Sequence, residues 1–354
     1  FYYAPPSGFL ALCTANLPNV DVIPSEHFNT VLYTGNGGTQ NIAVGYNPDF
    51  VWIKNRSEND AHQVFNSFTG ATYAMHMDST AVAVVNDDTL TAFISTGFSL
   101  GDDVVVNTNS ESYVSWNWNF GNTTLGTGDF TQGSIASTCK RNLSAGMSLV
   151  QYTGTEANGT VGHGLSKAPD MFFIKSVTAT SGWGMYHKDL GGTHVIAMNT
   201  TDGIVDEAEI FQDTAPSATL LTIGDTTYNN DDGETILAWC FHAVDGFSAF
   251  GTYNGNNNIN GVFQSCSFRP ALIIIKSIAA NTPWMMFDSK RDINNPSKSY
   301  LLAEAVNDEA TSTQHVDFLA NGFKIRYAGG DMNTTNKHIW MAFAETPLKY
   351  SNAR

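Results

Sequence analysis

Short apolar runs separated by polar turns recur along the chain about every ten residues. Three of these runs, at residues 48–54, 169–175 and 270–276, begin with proline and end with lysine. Apolar runs of about four to eight residues that are rich in β-branched and aromatic side chains are typical of strands. No helical pattern of about 10 to 15 residues lies between them, so the chain is predicted to form antiparallel sheets.

The runs belong to a longer pattern that occurs three times. A Tyr-x-Gly turn precedes each run, an aromatic residue stands eleven positions after each lysine, and a closing aromatic strand ends each pattern. The lysines are Lys54, Lys175 and Lys276, the aromatic residues are Phe65, Tyr186 and Phe287, and the closing strands contain Trp118, Phe241 and Phe343. Equal offsets at three places indicate an internal repeat.

The closing strands alternate partly between large apolar and other residues, which predicts strands with one buried face. We therefore predict an all-β protein of three tandem antiparallel β-sandwich-like repeats, each about 100 residues long. The predicted division is the end of an upstream β module and a linker at 1–29, repeats at 30–120, 148–247 and 248–354, and a linker at 121–147. The second linker is assigned to the surface because it is rich in Gly, Thr and Ser.

Composition and charge exclude some classes of function. Hydrophobic residues make up 42% of the 354 residues, which is enough apolar material for folded cores. The chain has 17 Lys and Arg against 33 Asp and Glu, and this net charge of −16 repels phosphate backbones and anionic headgroups. Its apolar runs are far shorter than the roughly 20 residues of a membrane helix. We expect neither a nucleic-acid partner nor membrane insertion.

Motifs of common catalytic sites give no candidate enzyme. An H-E-x-x-H pair, a phosphate-binding P-loop and a dinucleotide-binding glycine fingerprint do not occur in the sequence. We therefore assign no catalytic residue and no cofactor. A pair of glycosidase carboxylates has no sequence motif, so a polysaccharide depolymerase stays open as an alternative.

The repeated lysines and the tryptophans near them are candidate contact residues. Lys54, Lys175 and Lys276 recur at one position, which indicates either a triplicated binding site or lysines whose stems pack beside an aromatic side chain. Trp183 and Trp284 stand shortly before the recurring aromatic residue and, if exposed, are candidates for stacking on sugar rings. Packing in the core or between repeats is the favoured alternative for both.

Two histidines and two aspartates complete the candidates. His62 and His187 lie near the recurring aromatic residue and are further candidates for glycan or receptor contact. The third repeat has Asp288 there, so a catalytic role common to the three repeats is not expected. Asp231 and Asp232 are candidate calcium ligands through their oxygen atoms. Their segment lacks the ligand spacing of an EF-hand loop, and a plain hairpin turn is the alternative.

The strand at 48–54, the Gly-Phe-Ser-Leu-Gly segment at 97–101 and the terminal segment 349–354 resemble an uncharacterised repeat family of tailed-bacteriophage virion proteins, especially those of marine phages. The resemblance covers nearly all of residues 28–354. Residues 2–12 resemble the last strands of a SPRY-like sandwich that often precedes such repeats, and we expect the chain to begin inside a longer polypeptide. The resemblance implies a location in the virion and brings no catalytic residues.

These observations together predict a non-enzymatic virion protein, a fibre or appendage component acting in host-surface adhesion. The alternatives are a capsid or tail decoration protein and a tailspike-type polysaccharide depolymerase. The expected partners are other virion proteins and a host-surface glycan or protein. The family context, not a heptad pattern in the chain, implies a homo-oligomer, which in a fibre would be a trimer.

Overall fold

The computed structural model describes residues 22–121 and 123–344, apart from the side chains of residues 312–314. Strands dominate the described residues, and each of the four α-helices there is a single turn of four residues. The prediction of an all-β fold is confirmed. The SPRY-like segment at 2–12 and the terminal segment at 349–354 lie outside the described residues.

The first group of strands, which we call unit 1, consists of β1 (Phe28–Thr34), β2 (Gln40–Ala43), β3 (Phe50–Asn55), β4 (Gln63–Asn66), β5 (Gly70–His76), β6 (Val84–Val85), β7 (Leu90–Ile94), β8 (Gly97–Leu100), α1 (Val104–Asn107) and β9 (Ser112–Trp118). Its main sheet has the order β1-β9-β3-β4-β5-β6. The strands β2, β8 and β7 form a second layer. A 3-10 turn at Pro24–Glu26 precedes β1.

Unit 2 consists of β10 (Thr123–Leu125), β11 (Ser137–Asn142), β12 (Met147–Thr153), β13 (Gly159–Gly162), β14 (Met171–Ser176), β15 (Gly184–His187), β16 (His194–Ala197), β17 (Val205–Asp206), α2 (Ala208–Phe211), β18 (Leu220–Ile223), α3 (Thr227–Asn230) and β19 (Thr235–Phe241). Its main sheet has the order β10-β11-β12-β19-β14-β15-β16-β17. The strands β13 and β18 pair separately.

Unit 3 consists of β20 (Ser248–Asn254), β21 (Phe263–Ser265), β22 (Pro270–Ser277), β23 (Trp284–Asp288), β24 (Ser297–Leu302), β25 (Ala310–Leu319), β26 (Gly322–Ile325), α4 (Gly330–Asn333) and β27 (Lys337–Ala344). Its strands form one sheet in the order β20-β27-β22-β23-β24-β25-β26-β21. In all three units, an opening strand pairs with the closing strand, which in turn pairs with the lysine-ending strand.

The lysine-ending strands are buried on both faces. Successive side chains of a strand point to opposite sides of its sheet. In β3, Phe50 and Trp52 enter a core shared by all three units, whereas Val51 and Ile53 enter a core of unit 1 alone. The side chains of β14 and β22 are divided in the same way. Burial of both faces explains the uninterrupted apolar sequence of these strands.

The closing strands meet in the shared core. The ring of Phe343 lies 5.5 Å from that of Trp118 and 5.8 Å from that of Phe241. The aromatic residues of the three closing strands therefore pack together. The recurring residues Phe65, Tyr186 and Phe287 lie instead in the separate unit cores. The prediction of one buried face for the closing strands is wrong, because the main sheets pack against one another around one core. The units therefore do not follow each other as separate tandem modules.

The prediction of a surface linker at 121–147 is also wrong. Both β10 and β11 lie within this range, and β11 pairs with β12 along its whole length. Phe130 and Cys139 are buried in the core of unit 2. The Gly, Thr and Ser content that is typical of a linker is equally compatible with an edge of a sheet, where one side of the strand meets water.

A buried asparagine holds the turn after the opening strand of each unit. In unit 2, Asn230 at the end of α3 accepts a hydrogen bond from Thr155 N at 2.9 Å and donates to Ala157 O and Gly224 O, both at 2.8 Å. Asn107 accepts in the same way from Asn36 N at 2.9 Å, and Asn333 from Asn256 N at 3.0 Å. Because these amides are buried, their full pairing avoids a desolvation cost of about 1 to 3 kcal/mol per group.

The Tyr-x-Gly motif serves the same turn. Tyr152 Oη donates to Asn229 O at 2.6 Å, and Tyr33 and Tyr253 donate to the corresponding carbonyl groups of Val106 and Met332. A side chain on the glycine would overlap the carbonyl oxygen of the residue that follows the buried asparagine, in the pairs Gly35 with Thr108, Gly154 with Asp231 and Gly255 with Thr334. The close approach of the two backbones explains the glycine at this position.

Candidate functional site

The three repeated lysines are buried at the ends of β3, β14 and β22. Lys175 Nζ donates to Ser176 O at 2.8 Å and lies 3.4 Å from Thr80 O of unit 1. Lys54 Nζ and Lys276 Nζ donate to the carbonyl group of the next residue, each at 2.7 Å. Each ammonium group therefore closes the loop after its own strand. The triplicated binding site, one of the two expected alternatives, is not accessible to a ligand in this arrangement.

Burial lowers the pKa of Lys54, Lys175 and Lys276 to about 8. For Lys175, desolvation is the cause. Nearby carboxylates oppose the effect of desolvation on the pKa of the other two lysines, with Asp60 the strongest for Lys54 and Glu304 for Lys276. Charge-assisted hydrogen bonds to carbonyl groups stabilise the protonated lysines at neutral pH.

A second set of equivalent residues links the units to one another. His62, Trp183 and Trp284 each stand eight positions after the repeated lysine. Each donates a side-chain hydrogen bond of 2.9 Å to a backbone carbonyl of another unit: Trp183 to His76 O of unit 1, Trp284 to Ala197 O of unit 2, and His62 to Leu302 O of unit 3. These three contacts close a cycle in which every unit donates once and accepts once.

Hydrogen bonds from backbone N–H groups follow the same cycle. In each of these bonds, one partner lies in the loop after a lysine-ending strand and the other lies in a neighbouring unit. Their lengths are 2.8 to 3.1 Å, and they run from Ala83 N to Val177 O, Ser181 N to Thr80 O, Ile204 N to Ile278 O, Thr282 N to Thr201 O, and Glu309 N to Arg56 O. We call the contacts between units 1 and 2 the first junction, those between units 2 and 3 the second junction, and those between units 3 and 1 the closing junction.

Trp183 and Trp284 follow the packing alternative and not the sugar-stacking one. Their exposed fractions are 0% and 1%, so neither ring can stack on a sugar in this structure. Their indole groups instead pack in the shared core and reach across a junction. The sequence alone does not distinguish these two locations, because a tryptophan near the end of a strand is compatible with both.

Neither candidate histidine reaches the surface. His62 Nδ1 accepts from Trp52 Nε1 at 2.8 Å, so its other nitrogen carries the proton that is donated to Leu302 O. Burial lowers the pKa of His62 to about 3 and that of His187 to about 4, which keeps both neutral near pH 7. His187 Nδ1 accepts from Asp189 N at 3.2 Å. Contact of these histidines with a glycan or receptor would require a different conformation.

The closing junction also carries an ionic network, in which Arg291 and Asp288 are buried and Arg56 and Glu309 are partly buried. Arg56 of unit 1 donates two hydrogen bonds of 2.9 Å to Glu309 of unit 3. Glu309 also pairs with Arg291 at 3.2 Å, and Arg291 pairs with Asp288. Trp116 of unit 1 donates to Asp288 at 3.2 Å, and its ring lies 5.6 Å from the Arg291 guanidinium carbon. The network joins the two units that are farthest apart in sequence.

The candidate calcium ligands belong to a short helix and the turn after it. Asp231 follows α3 directly, and its carbonyl group accepts from Glu234 N at 3.2 Å. The segment thus contains a helical turn and not only the plain hairpin given as the alternative. Within residues 22–121 and 123–344, no group of three or more His, Cys, Asp or Glu side chains could hold a metal ion.

The segment 97–101 has the G-x-S-x-G spacing of a hydrolase nucleophile elbow. An elbow requires a sharp turn from strand to helix that exposes the serine beside a histidine base. Here Ser99 lies within β8, opposite Asn41 of β2, and its hydroxyl donates to Asn41 Oδ1 at 2.7 Å. The segment is a paired strand, so its spacing does not indicate a nucleophile.

A pocket of about 340 Å³ opens on unit 2 beside its junctions. Apolar side chains of Val195, Ala197, Val205 and Ile210 line it together with Tyr228. Burial raises the pKa of Tyr228 to about 12, so its hydroxyl group stays protonated. The polar lining residues are Thr80 of unit 1 and Asn199, Thr200, Asp202 and Glu207 of unit 2.

Comparison with known proteins gives one family. Residues 23–347, nearly the whole chain, match the family described as a domain of unknown function (DUF7483). Comparison with curated proteins gives no match. In the part of the chain that the structure describes, no helix has the length and apolar character to cross a bilayer.

Proposed function

The chain belongs to the DUF7483 family, and for this member we propose a structural, non-enzymatic role on the surface of a bacteriophage particle. It serves as a fibre or appendage component. Its three units form a rigid body, and polar loops on that body contact a host surface.

The observation that carries this proposal is that the repeated reactive side chains are buried and bonded within the protein. The lysines, His62, Trp183 and Trp284 are buried, and they hydrogen-bond to loops and across junctions. General acid or base catalysis requires a group within hydrogen-bond reach of a substrate and a pKa near the working pH. The lysines have a pKa near neutral pH, but like the other residues they are committed to internal contacts and out of reach of a substrate, which supports a structural role.

The loops that follow the opening strands support contact with a partner. Residues 36–41, 155–158 and 256–260 are mostly exposed and rich in Asn, Gly and Thr. Each loop is held at its base by the buried asparagine of its unit. A fixed backbone with exposed hydrogen-bonding side chains loses little entropy on binding, which suits recognition of a glycan or a protein.

Cryo-electron microscopy of the intact particle that carries the chain tests the proposal. Density that projects from the tail or the head as an appendage is the expected result. Density that lies flat over the capsid or the tail tube would instead make the chain a decoration protein and contradict the adhesive role.

A binding assay adds the functional part of the test. The purified chain is expected to bind host cells and to compete with the particle for adsorption. The same chain, incubated with purified host surface polysaccharide, is expected to leave the length of the polysaccharide unchanged. Shortening of the polysaccharide would show a depolymerase and contradict a non-enzymatic role.

A further inference from the structure

Unit 2 has a feature that breaks the likeness among the three units. Tyr228 stands two positions before the buried asparagine, where unit 1 has Val105 and unit 3 has Asp331. The Tyr228 ring lies against Gly182 and Gly184, and a side chain carbon on Gly182 would come within 2.5 Å of the Tyr228 hydroxyl oxygen. The two glycines therefore leave the space that this ring occupies.

The other units do not repeat this lining. Seven positions after the repeated lysine, where unit 2 has Gly182, unit 1 has Ala61 and unit 3 has Pro283. A site that occurs in one of several similar units is more readily explained by a specific ligand than by the packing rules that all units share. The pocket beside Tyr228 is such a site.

Two polar groups in the pocket have no partner in the described part of the chain. Asn199 Oδ1 accepts from Trp183 N at 2.8 Å, which fixes the amide and leaves its Nδ2 group without a hydrogen bond to another described residue. The Tyr228 hydroxyl group, which is protonated, likewise makes no hydrogen bond within residues 22–121 and 123–344. Both groups belong to pocket-lining residues, so a ligand in the pocket can supply their hydrogen bonds.

The lining selects the chemistry of the ligand. The apolar walls at Val195, Val205 and Ile210 suit the C–H face of a sugar ring. The carboxylates of Asp202 and Glu207 accept hydrogen bonds from hydroxyl groups and repel phosphate, sulfate and uronic acid groups. A volume of about 340 Å³ lies at the low end of the range of about 300 to 1,000 Å³ for ligand pockets, which fits one ring.

We propose that this pocket binds a single neutral sugar residue of a host-surface glycan. The inference rests on the adhesive role proposed above and assigns that role to one place in unit 2. Tyr228 and Asn199 orient the sugar through its oxygen atoms, and the two carboxylates accept from its hydroxyl groups.

A matched pair of variants tests the site. Val205 and Val84 stand at the same offset from the repeated lysines of units 2 and 1, and their exposed fractions are 47% and 49%. Val205→Trp fills the pocket, whereas Val84→Trp places the same bulk on an equivalent strand away from it. The probes are the methyl glycosides of glucose, galactose and mannose and free N-acetylglucosamine, followed by saturation-transfer NMR on the full chain. Glucuronate and glucosamine serve as charged comparisons.

At least one neutral sugar is expected to bind the native chain and the Val84→Trp variant with affinities within about twofold, and Val205→Trp with about tenfold lower affinity or less. Tyr228→Phe is expected to weaken binding while keeping the ring. The inference is overturned if no neutral sugar binds, if only a charged sugar binds, or if Val205→Trp binds as well as Val84→Trp. If the Val205→Trp variant still binds host cells, this site is overturned and the adhesive role stays intact. If the native chain does not bind host cells, both are overturned.

Discussion

The second junction and the closing junction solve the same packing problem with different chemistry. At the second junction, Trp284 donates to Ala197 O and backbone bonds complete the contact. At the closing junction, the equivalent residue His62 donates to Leu302 O, and four charged side chains join the contact: Arg56, Asp288, Arg291 and Glu309. The backbone geometry is similar, yet only one of the two contacts is strongly ionic.

The two junctions also differ in the separation of their units along the chain. Units 2 and 3 are adjacent in sequence, whereas Arg56 and Glu309 are 253 residues apart. Closure of a longer loop costs only about 0.6 kcal/mol for each doubling of its length, so closure does not require a much stronger contact. Buried ion pairs add little net stability but tolerate little misplacement. We infer that the network defines which face of unit 3 meets unit 1.

The largest expected effect comes from breaking the network at its centre. Arg291→Met leaves Asp288 buried and without its charged partner, which is expected to reduce the free energy of unfolding by about 3 to 5 kcal/mol. Urea unfolding monitored by tryptophan fluorescence measures the change. Lys290→Met, at the exposed neighbouring position, is the control and is expected to change the free energy by less than about 0.5 kcal/mol. Similar values for the two variants would contradict the role of the network.

A smaller and symmetric effect is expected from the two tryptophans. Trp183→Phe and Trp284→Phe each remove one N–H donor and with it a hydrogen bond across a junction, at an expected cost of about 0.5 to 1.5 kcal/mol for the bond. The two costs should agree, since both bonds are 2.9 Å long and both rings are buried. Trp340 Nε1 has no hydrogen-bond partner among the described residues, so Trp340→Phe is the control that loses a buried ring of similar size without losing a bond. A control that costs as much as the other two would show that the bonds contribute nothing.

The buried charge of Lys175, at the first junction, is detectable through the pH dependence of the free energy of unfolding. Its pKa is about 8 in the folded chain and about 10.4 in the unfolded chain, so the unfolded chain binds more protons between these values. Stability from this residue therefore rises with pH across that range. The stability of the native chain relative to Lys175→Met should increase from about pH 8 to about pH 10.4. A flat or falling difference in urea unfolding would contradict the buried charge.

The smallest effect is expected outside the junctions. Asp231→Asn and Asp232→Asn are expected to change stability by less than about 0.5 kcal/mol, because no group of metal-binding side chains is present in the described residues. Calcium and a chelator should leave the melting temperature unchanged, as measured by calorimetry. A calcium-dependent rise that disappears in either variant would instead show a calcium site at this turn.

The strands were predictable because their sequence signal is local. Residues 48–54, 169–175 and 270–276 combine apolar content with turn residues at their ends. The strands β3, β14 and β22 form there, and each extends one residue past its lysine. Packing between repeats was an alternative for the two tryptophans, but the shared core was not predictable. A strand buried on both faces has the same sequence whether its second face meets a helix, a sheet or another unit. The error on 121–147 has the same origin, since an edge strand and a linker share one composition.

Two further regularities of the sequence correspond to the junctions and the turns. His62, Trp183 and Trp284 share an offset of eight from the repeated lysine, which is itself a signal of a common structural role. A buried asparagine precedes the first buried residue of each closing strand, by six positions in units 1 and 2 and by five in unit 3. The pocket beside Tyr228 has no such signal, because it depends on two glycines that are distant from the tyrosine in sequence.

The three units share one core, and we expect them to unfold together. Differential scanning calorimetry of the full chain tests this expectation most directly, because the ratio of calorimetric to van't Hoff enthalpy equals about 1 for a single cooperative transition. We predict one transition with that ratio, since the shared core and the three junctions connect every unit to both others. Two or three resolved transitions, or a ratio of about 3, would show that the units unfold independently and would contradict the claim.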